Sequence, residues 1–596
     1  MIADKIHPTV KDQDISGEVR LKGVGAARGY AIGKAYLYKR DAIIIDQRII
    51  TETDVADEQD KYRKSVEQSN RELVKISTIT HQKLGEEFSA IFDAQILMLF
   101  DPEITRLILD FISNSRMTAE SATDKAYSQH IDLLKALSAD HHMTQRITDL
   151  EDVKDRVIRN LQRGKLLSRV EESSIIVSDN LTPADMILFS RQNIQGIALN
   201  FGGLNSHVAL IARSLNIPLV IGLHKASSAI HPGDDLIIDG TDGYLIARPS
   251  AVVMEKYHRK IEKFARFIRL FDQSAQGDSV TADGRRVTVN ANIEFRDELN
   301  ELDTCGAEGV GLYRTEHLFL SRGYFPSEEQ QYSYYKSLFE LVGHHPITIR
   351  AFDVGGDKVL ESSFQEQNPF LGWRGIRILL DRPEIFRNQM RAILRASYGH
   401  RVKLMFPMIH NLGQVRLIRS HMNELMTELK RLNVPFNPIP VGIMIEIPSA
   451  AIQAPVLARE VDFFSLGTND LTQYTLAVDR GNDIIAGLYR ELEPAVLYLI
   501  YQTILAGRQA GIPVSICGEL ASNLLAIPLL VGMGIDEISV IIRRAPEVRY
   551  VIQNVRQSDC ETLVDEVLSL TTVSDIEQHL RSWMQAHLPA LGQYLS

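Results

Sequence analysis

The chain has 596 residues, of which 45% are hydrophobic and 24% charged, and its formal net charge at pH 7 is −11. This length predicts about three or four domains, and the acidic balance argues against binding to a nucleic-acid backbone. No uninterrupted apolar run is long enough to span a membrane. The N-terminus is polar, and the three cysteines form no Cys-x-x-Cys pair, so the composition favours a cytoplasmic protein.

The first half of the chain alternates between two kinds of pattern. Residues 1–45 hold a polar leader and short apolar pieces between glycines, whose spacing is not that of a nucleotide-binding loop. Residues 46–165 have few glycines and a helical periodicity, which predicts an inserted bundle of helical hairpins. Residues 166–250 alternate strand and helix and predict a compact α/β domain, and residues 251–280 predict a charged linker helix.

One stretch of the predicted bundle, residues 91–100, is apolar around most of the helix. Methionine and aromatic side chains suit adaptable protein-binding surfaces, so this stretch is a candidate docking face for a partner. Packing into the core of the bundle explains the same pattern equally well.

His207 stands in the first turn of a short predicted helix that Ser206 opens after a Gly-Gly turn. The positive end of the helix dipole keeps an imidazole neutral and therefore nucleophilic. If that imidazole accepted a phosphoryl group, the free N–H groups of the same helix end would favour the new charge. The alternative is a first-turn histidine without a function.

After residue 280 the chain cycles repeatedly through strand, loop and helix, which predicts a (β/α)8 barrel over residues 281–596. Gly375–Ile378 is a weaker candidate for the eighth strand. The other candidate strands are 287–293, 308–314, 347–353, 403–409, 441–447, 463–467 and 514–517. In this count, Glu446 ends the sixth strand, Gly467–Asp470 the seventh, and Cys517 the last.

The residues at the ends of the predicted strands all suit the same kind of substrate. Three arginines and a lysine suit phosphate and carboxylate oxygens, two carboxylates are enough to hold one Mg²⁺ with open positions, and a cysteine is a nucleophile or proton donor. We therefore expect a small phosphorylated carboxylic acid as substrate. Each residue alone has another explanation, such as a surface ion pair or a buried thiol. The residues are Arg314, Arg350, Arg374, Lys358, Glu446, Asp470 and Cys517.

Four runs resemble the phosphoenolpyruvate–protein phosphotransferases, Enzyme I of the sugar phosphotransferase system. They are residues 309–316, 355–358, 368–374 and 463–482. The resemblance implies that phosphoenolpyruvate phosphorylates His207 and that a histidine of a small carrier, HPr or a relative, then receives the phosphoryl group. It also implies that residues 46–165 dock the carrier and that the barrel forms a homodimer.

The resemblance assigns roles to the strand-end residues as well. Glu446 and Asp470 would ligate Mg²⁺, and Cys517 would protonate the enolate to give pyruvate. The remaining residues, together with Asp470, would bind phosphoenolpyruvate; these are Arg314, Arg350, Lys358, Arg374, Asn469 and Arg480. Because His207 and these residues fall in different domains, we expect a rigid-body swing of residues 1–250 about the linker.

The chain departs from the usual Enzyme I pattern at Leu204-Asn205-Ser206-His207, where Arg-Thr-Ser-His is common. This run, and Gly372–Gly375 followed by Pro383-Glu384, resemble the nitrogen-branch enzymes, which typically carry an N-terminal GAF domain. We expect no such domain here, because the leader is about 20 residues long. The carrier, and the choice between sugar uptake and regulation, stay open at this point.

Two other interpretations compete with this one. A pyruvate phosphate dikinase or phosphoenolpyruvate synthase would need an ATP-grasp domain, for which the residues before the helical insertion leave no room. A regulatory paralogue would bind phosphoenolpyruvate or the carrier without turnover.

Overall fold

The computed structural model describes two compact units, Met1–Ala265 and Arg266–Ser596. Within them the described residues are 17–39, 45–84, 86–137, 141–162, 173–203, 206–275, 277–294, 296–320, 325–355, 368–480, 482 and 485–595. Among these residues, none of the helices combines the length and the apolar character needed to cross a membrane.

The first unit contains an eight-stranded mixed sheet with the order β1-β8-β7-β3-β4-β5-β6-β2. Strands β3, β4, β5 and β6 pair in parallel, whereas β1, β2, β7 and β8 join by antiparallel pairing. The predicted strands of residues 174–239 are confirmed, and the glycine-rich start contributes three more. The strands are β1 Val19–Lys22, β2 Val24–Ala27, β3 Tyr30–Leu37, β4 Ser174–Ser178, β5 Gly196–Leu199, β6 Leu219–Ile221, β7 Asp235–Asp239 and β8 Tyr244–Ala247.

A bundle of five helices connects β3 to β4, and its core is continuous with one face of the sheet. Phe92 and Ile108 of the bundle belong to the same buried cluster as Ile176 and Phe189 of the α/β part. The bundle helices are α1 Val55–Leu84, α2 Glu86–Leu99, α3 Pro102–Ser113, α4 Ala119–Leu137 and α5 His141–Leu161; the α/β helices are α6 Pro183–Phe189, α7 His207–Ser214 and α8 Ala226–Ala229.

The second unit is a closed barrel of eight parallel strands, in the order β10-β11-β12-β13-β14-β15-β16-β9. The strands are β9 Thr288–Ile293, β10 Val310–Tyr313, β11 Ile347–Arg350, β12 Val402–Phe406, β13 Val441–Ile445, β14 Phe464–Leu466, β15 Val514–Ile516 and β16 Glu537–Ile541. The predicted fold class, an α/β chain with a (β/α)8 barrel, is confirmed.

The predicted eighth strand is wrong. Gly375 has φ +57° and precedes helix α13, so residues 376–378 are helical. The closing strand is instead β16, which pairs with β15 and β9. Glu446, Asp470 and Cys517 therefore follow the fifth, sixth and seventh strands of the barrel, not the sixth, seventh and last.

Helices surround the barrel strands, and the last three continue beyond them. Cys560 of α22 and Leu580 of α23 are fully buried in the barrel's hydrophobic core. The helices are α9 Ala251–Ser274, α10 Leu302–Cys305, α11 His317–Leu320, α12 Glu328–Val342, α13 Ile376–Asp381, α14 Pro383–Ala396, α15 Leu412–Arg431, α16 Pro448–Ile452, α17 Ala454–Leu457, α18 Thr468–Leu476, α19 Pro494–Ala510, α20 Ile527–Met533, α21 Ala545–Asn554, α22 Gln557–Leu568, α23 Val573–His587 and α24 Pro589–Leu595.

Candidate active site

His207 is the first residue of α7, as the sequence predicts. The side chain of Ser206 caps this helix by accepting a hydrogen bond from the backbone N–H of Ala209 at 3.3 Å. Val208 and Ile211 of this helix are buried. Burial lowers the pKa of His207 to about 4, so the imidazole is neutral at physiological pH. The sequence argument expected a neutral imidazole from the helix dipole, whereas desolvation is the cause in the structure.

In the barrel, the arginines lie where a (β/α)8 fold places its chemistry, at the C-terminal ends of strands. Arg350 ends β11, and its Nη2 donates to Glu316 Oε1 at 3.0 Å. Arg314 follows β10, and its Nη1 donates to Glu294 Oε2 at 3.2 Å with both side chains about half exposed. Arg350 is by contrast largely buried, with 13% of its side chain exposed, and its Nε has no hydrogen-bond partner.

Asp353 connects two of the predicted substrate arginines. Its carboxylate accepts from Arg374 Nε at 3.2 Å and from Arg374 Nη2 at 2.7 Å, and lies 3.5 Å from Arg350 Nη1. Burial would raise the pKa of Asp353, but the guanidinium groups of Arg374 and Arg350 outweigh it and hold the pKa below its ordinary value. The carboxylate is therefore charged and fixes the direction of both arginines.

Glu446 and Asp470, the predicted metal ligands, are buried neighbours. Burial, followed by repulsion from the carboxylates of Asp470 and Asp353, raises the pKa of Glu446 to about 8. Gly467 lies against Glu446, and a Cβ at this glycine would be 3.0 Å from Glu446 Oε2. Asp470 Oδ1 is buried and accepts no hydrogen bond.

This arrangement fits a divalent cation. Mg²⁺ is commonly held by one or two carboxylates together with substrate phosphate oxygens, and a cation would relieve the repulsion between the two acids. No group of three or more His, Cys, Asp or Glu side chains in the described part of the chain forms a complete metal site. Two carboxylates leave coordination positions of such a cation open to substrate or water oxygens.

Arg480 and Asn469 border the same acids. Arg480 Nη2 lies 3.7 Å from Asp470 Oδ1, and Arg374 Nη2 lies 3.7 Å from Asp470 Oδ2. Asn469 is engaged with Glu519, since its Oδ1 accepts from the Glu519 N–H at 2.7 Å and its Nδ2 donates to Glu519 Oε1 at 3.3 Å. The segment after β14 is thus hydrogen-bonded to the segment after β15.

Cys517 follows β15 inside the barrel. Its sulfur accepts from Ser465 Oγ at 3.4 Å and lies 3.6 Å from the carbonyl oxygen of Leu466. Burial raises the pKa of the thiol above its ordinary value. A protonated thiol can supply a proton, so the environment favours a proton donor over a thiolate nucleophile.

The structure therefore brings most of the predicted barrel residues to one end of the strands. Lys358 lies outside the described residues. Sequence reasoning gave no role to Glu316, which lies in the run 309–316, or to Asp353, which ends the predicted strand 347–353. Their function as counter-ions follows only from their contacts with Arg350 and Arg374.

Comparison with known proteins decides the family. The chain is 37% identical to the phosphoenolpyruvate-protein phosphotransferase of Staphylococcus carnosus over 94% of this chain and 98% of the relative. The chain belongs to the phosphoenolpyruvate–protein phosphotransferase family. The family members of Haemophilus influenzae and Geobacillus stearothermophilus are also 37% identical, over 95% and 94% of this chain and 99% and 97% of theirs.

Domain families agree with this membership in the phosphotransferases. PEP-utilising enzyme, N-terminal, matches residues 22–146; the mobile domain of the PEP-utilising enzymes matches 170–243; and their PEP-binding domain matches 270–557. The solution structure of an Enzyme I (nEIt) protein aligns at 36% identity over 41% of this chain and 99% of that one, with a TM-score of 0.38, which is too low to bear on the fold. The chain is accordingly an enzyme, a member of the phosphoenolpyruvate-protein phosphotransferases.

Proposed function

We propose that phosphoenolpyruvate phosphorylates His207 and that the phosphoryl group then passes to a histidine of a small HPr-like carrier protein, with release of pyruvate. The observation that carries this proposal is the convergence of Arg350 and Arg374 on Asp353, beside Glu446 and Asp470. Fixed guanidinium groups next to two acids provide both charge and geometry for a small phosphorylated carboxylate.

In the barrel, Arg314, Arg350, Arg374 and Arg480 bind the phosphate and carboxylate oxygens of phosphoenolpyruvate, and Asn469 assists. Arg350 and Arg374 are largely buried and paired with Glu316 and Asp353, which pre-organises them and lowers the cost of binding. Lys358 and Asp470 are assigned to the same substrate site from the resemblance.

Glu446 and Asp470 hold Mg²⁺ in this proposal. When bound, the ion neutralises charge on the phosphoryl oxygens during transfer. Two observations support this assignment: Asp470 Oδ1 is buried without a hydrogen bond, and the two acids repel each other.

The chemical step begins with attack of the neutral imidazole of His207 on phosphorus. The bond from phosphorus to the enol oxygen breaks, its electron pair stays on that oxygen, and the enolate carbon takes the proton of the Cys517 thiol to give pyruvate. In-line attack needs the imidazole within about 3 Å of phosphorus. We therefore propose that residues 1–250 swing as a rigid body relative to residues 281–596, with residues 251–280 as the linker.

The proposed carrier site is the helical insertion, residues 46–165. Two large apolar side chains near the end of α2 are open to solvent, Leu97 at 77% and Phe100 at 51% exposure, whereas Phe92 and Leu99 are buried. One helix therefore packs into the core and leaves apolar side chains available to a partner, so both explanations of the run 91–100 apply.

We also propose that the barrel mediates a homodimer. Ile452 of α16, Val456 of α17 and Tyr498 of α19 are exposed apolar side chains, at 71%, 49% and 56%. The three helices pack on one another. Apolar and tyrosine side chains on adjacent helices suit a subunit interface.

Incubation with radiolabelled phosphoenolpyruvate and Mg²⁺ tests the function, with His207→Ala as the matched variant. We expect acid-labile label on the wild-type chain and none on His207→Ala. Addition of HPr or of the nitrogen-branch carrier in turn then identifies the acceptor. Label on His207→Ala, or absence of label on the wild type, would refute the proposal.

A further inference from the structure

Of the four residues after barrel strand β10, the first is Arg314 itself, and the other three contact Arg314 or Arg350. Thr315 Oγ1 donates to the carbonyl oxygen of Arg350 at 2.9 Å, and Glu316 accepts from the Arg350 guanidinium and from the Asp353 N–H. The backbone N–H of Arg314 donates to the carbonyl oxygen of Ile293 at 3.2 Å. The fourth residue, His317, has no part in the function proposed above.

His317 contacts the backbone carbonyl group of Arg314. Its Nδ1 lies 3.2 Å from the carbonyl oxygen of Arg314, and its Nε2 lies 2.8 Å from Tyr334 Oη. The Tyr334 hydroxyl is in turn hydrogen-bonded to the hydroxyl of Tyr313, the last residue of β10. The imidazole therefore bridges the strand end and helix α12.

The direction of these hydrogen bonds follows from the groups themselves. A carbonyl oxygen only accepts, so Nδ1 must carry a proton and donate to Arg314. In the neutral ring Nε2 then accepts from Tyr334, whose oxygen accepts from Tyr313. In the charged ring Nε2 donates instead, and the tyrosine hydroxyls rotate. The donation to Arg314 is the same in both states.

We propose that His317 is a positioning residue for phosphoenolpyruvate, which fixes the backbone of Arg314 so that its exposed guanidinium is directed at the substrate. The proposal rests on the proposed function, in which Arg314 binds phosphoenolpyruvate. Arg314 needs such support because its side chain is 42% exposed and its ion-pair partner Glu294 is 53% exposed. Exposed pairs of this kind give little orientation.

Two substitutions test the roles of the two ring nitrogens of His317 separately. The amide nitrogen of His317→Asn can occupy the place of Nδ1 and donate to the Arg314 carbonyl, whereas the longer amide of His317→Gln reaches the place of Nε2. We expect His317→Gln to weaken phosphoenolpyruvate binding by up to about tenfold, the value of one lost hydrogen bond, and His317→Asn to stay within about twofold of the wild type. Tyr334→Phe, which leaves Nδ1 in place, should also stay within about threefold.

The measurement is isothermal titration calorimetry of phosphoenolpyruvate with Mg²⁺, with KM and kcat for pyruvate release in parallel. Positioning of one binding group predicts a raised KM and a nearly constant kcat for His317→Gln, with unchanged thermal unfolding. Equal losses of affinity in the Asn and Gln variants, or an unchanged affinity in His317→Gln, would refute the role. A wild type that binds phosphoenolpyruvate but never labels His207 would refute the proposed function and leave this test valid.

Discussion

The guanidinium of Arg374 donates to both carboxylate oxygens of Asp353, at 3.2 and 2.7 Å, and both side chains are largely buried. A bidentate pair of this kind fixes the plane of the arginine as well as its position. Since Asp353 also faces Arg350, a single carboxylate orients two of the proposed substrate arginines.

Asp353→Asn should lower the free energy of unfolding by about 3 kcal/mol, because it leaves buried guanidinium groups without a counter-charge. Urea unfolding of the purified protein measures this loss. The matched control is Asp278→Asn, which breaks the exposed Arg286–Asp278 pair and should cost less than about 1 kcal/mol. Equal losses in the two variants would contradict the structural role of Asp353.

The contribution of His207 to the stability of the folded protein should change with pH in one direction. Burial lowers the pKa of the folded imidazole to about 4, below the ordinary histidine value of about 6.5. Between these values the unfolded chain binds more protons, so the stability contributed by His207 is present above pH 6.5 and is lost as the pH falls towards 4. His207→Gln should flatten the stability profile in this window.

NMR titration of ¹⁵N-labelled histidines reports the same group directly, with His207→Gln to assign the signal. A midpoint near 6.5 in the folded protein would show that the imidazole is not desolvated as the structure indicates.

Leu97→Glu and Phe100→Glu should raise the KM for the carrier by at least about tenfold, because a charge would disrupt an apolar contact at the proposed docking surface. Labelling of His207 by phosphoenolpyruvate should be unchanged. Leu432→Glu, at an exposed apolar side chain of the barrel unit, is the control and should leave the carrier KM as it is.

Cys517→Ala should reduce pyruvate formation by about 100-fold, since loss of a general acid usually costs two to four orders of magnitude. A lactate dehydrogenase-coupled assay measures the pyruvate. Cys305→Ala removes a half-buried thiol in α10, outside the proposed site, and should retain activity. A Cys517→Ala variant with normal turnover would require another proton donor.

Glu446→Gln and Asp470→Asn should each weaken Mg²⁺ binding by at least about tenfold, because loss of even an outer-shell partner has that effect. Calorimetry with Mg²⁺ in the presence of phosphoenolpyruvate gives the affinity, and Glu424→Gln on the surface of α15 is the control. In EDTA, Glu446→Gln should be no less stable than the wild type, since it removes one of two repelling buried acids.

Much of this arrangement could be predicted from the sequence, and the exceptions have physical causes. The strand-end rule of the barrel placed Arg350, Glu446 and Cys517 correctly because parallel strands share one C-terminal edge. The predicted strand Gly375–Ile378 is wrong, because a six-residue helix and a short buried strand can have the same apolar composition.

The roles of Asp353 and His317 depend on neighbours from other strands and helices, and spacing along the chain does not encode those contacts. The same limit applies to the pKa of His207. A helix dipole can be inferred from sequence, whereas the burial that lowers this pKa comes from packing of the folded domain.

The helical bundle is, topologically, a single crossover connection between two paired strands, since β3 and β4 lie side by side in parallel with Leu37 opposite Val177. The proposed carrier site can therefore be exchanged in evolution as one cassette, without altering the strands and the α7 helix that present His207. The cassette is not independent of its host, because Phe92 shares a core with Phe189. A functional chimera would have to carry matching residues on α6 along with the bundle.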